Sequence, residues 1–217
     1  MLRPNSGIYI DTMKRLHLVL PLALLAGLLV SPPAMAAPPT LPWKPCPDAP
    51  GAECTTMTVP VDWARPDGLK TTLSLARHRA TDPARRIGSL VYNPGGPGGP
   101  GAEIVARFWE QIFSPEVLAR FDVVGFDPRG VGGSDPVLCD EDVLTTPFPR
   151  APKNRAEFAQ LREHNRALGD SCRAASGPVY EHVDTGAVVR DIDAIRAALG
   201  DRRLSFLGVS YGTQNVR

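Results

Sequence analysis

The chain is poor in net charge, in metal-binding spacings and in long apolar runs. Its 24 Lys and Arg stand against 23 Asp and Glu, a formal charge of +1. That leaves no electrostatic reason to expect nucleic acid or an anionic membrane surface as a partner. The 4 cysteines form no C-x-x-C pair and the 4 histidines no H-x-x-x-H pair, so the spacing of a zinc site is missing. No apolar run reaches the roughly 20 residues that cross a bilayer core, and no internal repeat or low-complexity tract interrupts the chain. What remains is a globular composition, 43% hydrophobic and 22% charged over 217 residues, enough for one core.

The longest apolar stretch, Leu16 to Val30, has a targeting pattern. Lys14 and Arg15 precede it, and Ala34-Met35-Ala36 offers small residues for cleavage before Ala37. Residues 1–36 are therefore expected to be a signal peptide, with Met13 a candidate true start. The mature protein is expected to be secreted or held in the cell envelope or periplasm, without stable membrane association. Export admits disulfides. Of three connectivities for Cys46, Cys54, Cys139 and Cys172, loop closure favours Cys46 with Cys54 and Cys139 with Cys172, the pairs that close locally.

Residues 37–54 are Pro-rich and expected to be an extended leader, with the domain proper over 55–217. Thr55 to Val61 and Thr71 to Arg77 alternate around Arg65-Pro66-Asp67-Gly68, which predicts an antiparallel hairpin. The period then changes. Ile87 to Tyr92 reads as a strand. A glycine-rich loop follows, then a helix placing Ile104, Val105, Phe108, Trp109, Ile112 and Phe113 on one face. Phe121 to Phe126 is the next strand. Helices follow over Arg155 to Cys172 and Asp184 to Leu199, the latter striped by Val188, Val189, Ile192, Ile195 and Leu199. Leu204 to Leu207 then reads as a buried strand. Strands alternating with helices predict an α/β fold, with a mainly parallel sheet covered on both faces and the early hairpin at one edge.

The last strand runs into Gly208-Val209-Ser210-Tyr211-Gly212, a G-x-S-x-G turn in the strand-to-helix setting of a nucleophile elbow. Such a turn lifts a serine hydroxyl to where a base can take its proton, and flanking glycines avoid collisions in the tight bend. Acyl transfer also needs amide donors for the oxyanion. Tyr211 N–H supplies one. Gly95 or Gly96 supplies the other from the Asn93-to-Gly101 loop, because Pro97 has no amide hydrogen. The same loop holds a literal G-x-G-x-x-G at Gly96, Gly98 and Gly101, with Asp122 and Asp127 beyond. A dinucleotide site is disfavoured, since Pro97 and Pro100 delete amides needed by a pyrophosphate and a hairpin precedes the supposed first strand.

Asn93-Pro94-Gly95-Gly96-Pro97-Gly98, Asp127-Pro128-Arg129-Gly130-Val131-Gly132-Gly133-Ser134 and the Ser210 elbow together resemble secreted tripeptidyl-aminopeptidase-like α/β-hydrolases, relatives of the proline iminopeptidases. The resemblance implies a serine exopeptidase acting on peptides with free N-termini, Ser210 as nucleophile, Tyr211 with Gly95 or Gly96 as oxyanion hole, and no metal or organic cofactor. Asp127 and Arg129 are expected to tie the ends of their loop by charge-assisted hydrogen bonds, a structural role.

In this fold the acid and histidine follow the serine. They would lie beyond Arg217, since His17, His78, His164 and His182 all precede it. The chain is thus expected to be the N-terminal portion of such a domain, truncated after the elbow and inactive alone. The competing readings are a non-catalytic remnant and a generic secreted esterase.

Overall fold

A computed structural model describes residues 41–216; the expected signal peptide lies outside them. Six strands form one mixed sheet: β1 (Lys44–Pro45), β2 (Glu53–Pro60), β3 (Lys70–His78), β4 (Gly88–Asn93), β5 (Phe121–Phe126) and β6 (Ser205–Gly208), in the order β1-β2-β3-β5-β4-β6. β2 and β3 are the expected hairpin, closed over a turn in which Gly68 N–H donates to Arg65 O at 2.9 Å. The three strands nearest the elbow are parallel, β4 lying between β5 and β6. β3 joins β5 antiparallel, setting Leu75 opposite Phe126.

Period-2 alternation divides the buried strand residues between two faces. Val91 and Val124 face one way with Leu73, Leu75 and Phe126, and α5 (Thr185–Ala198) covers them with Val188, Ile192 and Ile195. Tyr92 and Val123 face the other way, under α1 (Gly101–Ile112) and α2 (Pro115–Arg120), through Val105, Phe113 and Leu118. Both layers rest on β4 and β5, which explains their near-continuous apolar runs. Phe108 departs from expectation. It is 45% exposed, at the margin of a stripe centred on Ala102, Val105 and Trp109.

Helix starts follow the capping residues. Asp184 accepts from Ala187 N–H to open α5, and Ser114 accepts from Val117 N–H beside Pro115 to open α2. α4 (Arg155–Ser176) opens on a reciprocal box, Glu157 N–H donating to Asn154 Oδ1 and Asn154 Nδ2 to Glu157 Oε1. α4 is polar, with only His164 and Cys172 buried. The Cys139–Cys172 disulfide fastens it beside the short α3 (Glu141–Thr145), and Cys46–Cys54 closes the loop between β1 and β2.

Two expectations need correction. The described part of the Pro-rich leader, 41–54, is integrated with the sheet: β1 pairs with β2, Ala49 and Ala52 are buried, and Leu41 and Trp43 pack on the main core. The Cys46–Cys54 bridge and the Lys44↔Cys54 register hold it there, overriding the extended preference of its prolines. The strand leading to the elbow is half-exposed where a buried one was expected, with Leu207 at 38%, because among the described residues it pairs on one side only.

Candidate active site

The elbow is built from close backbone contacts. Ser210 has φ +53, a left-handed conformation costing a non-glycine residue about 1–2 kcal/mol. A Cβ on Gly208 would lie 2.4 Å from Gly212 O, and one on Gly212 would lie 2.8 Å from Asn93 O. Both motif glycines are therefore required by space. Ser210 is exposed at the end of β6, and its carbonyl accepts a 2.7 Å bond from Thr213 Oγ1.

The glycine-rich loop after β4 lies directly against this turn. Val209 N–H donates to Asn93 O at 3.0 Å, continuing the β4–β6 register in which Asn93 faces Gly208. A Cβ on Gly95 (φ +89) would stand 2.3 Å from Val209 O and 3.0 Å from Tyr211 N. The loop and the elbow thus form one surface. Tyr211 N–H has no acceptor among the described residues, and its hydroxyl is hydrogen-bonded to Thr185 Oγ1 at the start of α5. Of the two candidate loop donors, Gly95 is corrected: its N–H already donates to Asn93 Oδ1 at 2.8 Å, an Asx turn. Gly96, exposed beside it, keeps its amide free of protein partners among the described residues.

The loop after β5 forms the opposite wall. Asp127 is buried and accepts from Ala102 N–H at the start of α1 and from Gly133 N–H, both at 2.9 Å. Burial pushes its carboxyl above the usual range, against the pull of those two amides. An Asp127 oxygen therefore already takes the helix-end N–H that the dinucleotide reading needs for a phosphate, and that reading fails because the position is occupied. Arg129 plays the structural role expected of it, with partners beyond its own loop. It reaches across to α5, placing Nε 2.7 Å from Asp191 Oδ2 and Nη2 2.6 Å from Oδ1, with both side chains fully buried. Its other N–H groups donate to the carbonyls of Pro60, Val61 and His182. Trp63 Nε1 adds a 3.0 Å bond to Asp191. All five guanidinium donors are used, so Arg129 fastens β2, its own loop and α5 together.

Between these walls lies a cleft of about 370 Å³, lined by Gly95, Pro97 and Tyr211 on the elbow side and by Val131, Val183 and Val188 opposite. Its size lies within the ~300–1,000 Å³ of ligand sites. The described histidines are placed elsewhere. His78 is buried and stacked on Trp109, His164 is stacked on Phe148, and His182 lines a separate cavity with Val61 and Asp62.

The family model described as alpha/beta hydrolase fold matches residues 88–217, more than half of the chain. The chain belongs to the α/β-hydrolase fold family. This α/β-hydrolase is 40% identical over 166 residues to the tripeptidyl aminopeptidase of Streptomyces lividans, covering 74% of this chain and 31% of that protein. It is 43% identical over 169 residues to serine protease Hip1 of Mycobacterium tuberculosis, covering 76% and 32%. Carboxylesterase B of Mycobacterium tuberculosis is 37% identical over 152 residues, covering 68% and 29%. The chain spans about a third of the length of these curated relatives.

Sequence reasoning passed over three residues at this hydrolase's site. Asn93 was read only as loop, although Asn-Pro-Gly-Gly is a side-chain-closed turn signal. Asp191 and Asn215 carry no local signal that names their surroundings. The partners of Asp191 come from segments far apart in the chain, whereas Asn93 closes on Gly95 two residues on.

Proposed function

We propose that this is an exported serine hydrolase that releases short peptides from free N-termini through an acyl-enzyme on Ser210. The observation carrying the reading is an exposed Ser210 at φ +53 on a backbone turn locked against the glycine-rich loop. A base takes the Oγ proton as Oγ bonds to the substrate carbonyl carbon, and the carbonyl π electrons move to oxygen. The amides of Tyr211 and Gly96 would meet that oxyanion. Its collapse expels the amine, which takes the proton, and water then cleaves the ester. The reading requires a base and an acid from outside the described residues, because no described histidine lines the cleft. Two disulfides support an oxidising compartment.

A fluorophosphonate probe applied to the full-length protein should label Ser210, and Ser210→Ala should lose the label. Unchanged labelling in that variant would refute the assignment. The 37% identity to a carboxylesterase favours an esterase as second reading. Ester and amide hydrolysis share the elbow, so comparing N-terminally free peptides, N-blocked peptides and a short-chain ester distinguishes them. Preference for the ester overturns the peptidase.

A further inference from the structure

The turn that carries Ser210 hangs on few attachments. Among the described residues β6 pairs on one side only, and the residues after the serine continue as a 3-10 turn, Ser210–Val216. Some of its hydrogen bonds are internal: Gly212 N–H donates to Val209 O at 2.8 Å and Thr213 Oγ1 donates to Ser210 O at 2.7 Å. Others reach outside. Before the serine, Val209 N–H donates to Asn93 O at 3.0 Å. After it, the Tyr211 hydroxyl is hydrogen-bonded to Thr185 Oγ1, the one side-chain hydrogen bond from 210–215 to another element among the described residues. Thr185 is a firm point to hold. It is the first residue of α5, whose start is capped by Asp184 and whose body is fixed by the Arg129–Asp191 pair and by Val188, Ile192 and Ile195 in the main core.

We infer that Thr185 is a positioning residue for the reaction at Ser210: its hydroxyl fixes the Tyr211 side chain, and with it the Tyr211 N–H proposed to meet the oxyanion. Thr185 itself touches no reacting atom. A tyrosine side chain turns about only two torsions, so pinning its hydroxyl end leaves its Cα, and the amide beside it, little room to move. An oxyanion donor works by being in place before charge develops, and a misplacement of about 1 Å can cost about a hundredfold in rate. The strain at Ser210 sharpens the need. A non-glycine residue at φ +53 is held there only while its surroundings over-determine it, and the Val209 and Tyr211 bonds stand on either side of it. The inference rests on the serine-hydrolase reading for what the Tyr211 amide does.

The test uses the full-length protein with Thr185→Val and Tyr211→Phe, which delete the bond from either side with little change of shape, their double variant, and Thr185→Ser, which keeps the hydroxyl. The probe is a fluorophosphonate, whose phosphoryl oxygen takes the oxyanion position when Ser210 attacks. In each single variant the maximal labelling rate should fall about tenfold, while the probe concentration giving half that rate stays within about twofold. The double variant should be no slower than either single one, since all three lack the same bond. Thr185→Ser should recover most of the rate. Melting temperatures of the single variants should fall by only about 2–4 °C, the loss of one neutral hydrogen bond. An unchanged maximal rate in both single variants, multiplied losses in the double one, or a Thr185→Ser variant as slow as Thr185→Val overturns the inference. So does weaker half-saturation at an unchanged maximal rate. Wild type left unlabelled at Ser210 would refute the nucleophile itself, whereas labelled wild type with unslowed variants refutes the role of Thr185 alone.

Discussion

Replacing Arg129 by Met should be among the most destabilising single changes in this protein. The methionine retains much of the side-chain stem but removes the charge. It leaves Asp191, fully buried, with only the Trp63 N–H, and strips the donors from the Pro60, Val61 and His182 carbonyls. Breaking a buried, hydrogen-bonded pair from one side costs about 3–5 kcal/mol, which for a domain of roughly 150–250 residues lowers the melting temperature by about 6–20 °C. The loss should depend on pH. Burial already pushes the Asp191 carboxyl up, and Arg129 is its chief opposing pull. Without Arg129 the folded-state value rises further above that of the unfolded chain, so the folded variant favours the protonated acid. The contribution of Asp191 to stability is then greatest at acid pH and falls as pH rises, making the deficit against wild type smaller near pH 4 than near pH 8. Arg129→Met with Asp191→Leu should recover part of the loss, since no buried charge remains, but not all, since three carbonyls stay without their donor. Urea and thermal unfolding at several pH values measure all of this, with Arg166→Ala in the exposed Glu163 pair as a control expected to leave the midpoint unmoved. A loss under about 1 kcal/mol for Arg129→Met, or a deficit that grows on acidification, would refute the reasoning.

Two further outcomes follow from the same physics. Burial holds the His78 imidazole below its ordinary 6.5, opposed by its bond to Ala106 O and the charge of Glu110. As pH falls below 6.5 the unfolded chain takes up a proton that the folded one resists, so stability should drop there. His78→Phe, which keeps an aromatic ring against Trp109, should show a shallower drop, and identical pH profiles would show that His78 is not the cause. Gly95→Ala should reduce both stability and Ser210 labelling, because its Cβ would meet Val209 O at 2.3 Å at φ +89. Gly98→Ala, at φ +94 with nothing within 4 Å, should cost only about 1–2 kcal/mol of backbone strain, so equal losses for the two would show that the close contact is not what matters.

The elements were legible where the signal was local. The hairpin of β2 and β3 was written in alternation and a turn, α5 in a stripe ended by Gly200, and the elbow in glycines that the backbone needs within five residues. Phe108 misled because periodicity assigns a face but not its width. The leader misled because its fate depended on the Lys44↔Cys54 register and a disulfide, not on its prolines. The dinucleotide pattern failed for a reason outside the loop that carries it, an Asp127 oxygen from the end of β5 already bonded to the helix.

By itself, then, the chain of residues determined the alternation of strands and helices, the sharp serine turn and the flexible-backbone loop that accompanies it, because these are properties of neighbours within a few positions. Tertiary structure alone decided that the glycine-rich loop lies against the serine turn, that Arg129 answers Asp191 across 62 positions, and that the Asn215 carboxamide is buried without a hydrogen-bond partner among the described residues. Hydrogen-bond partners and burial belong to the assembled space, and no local pattern encodes which distant group will fill a donor or leave it empty.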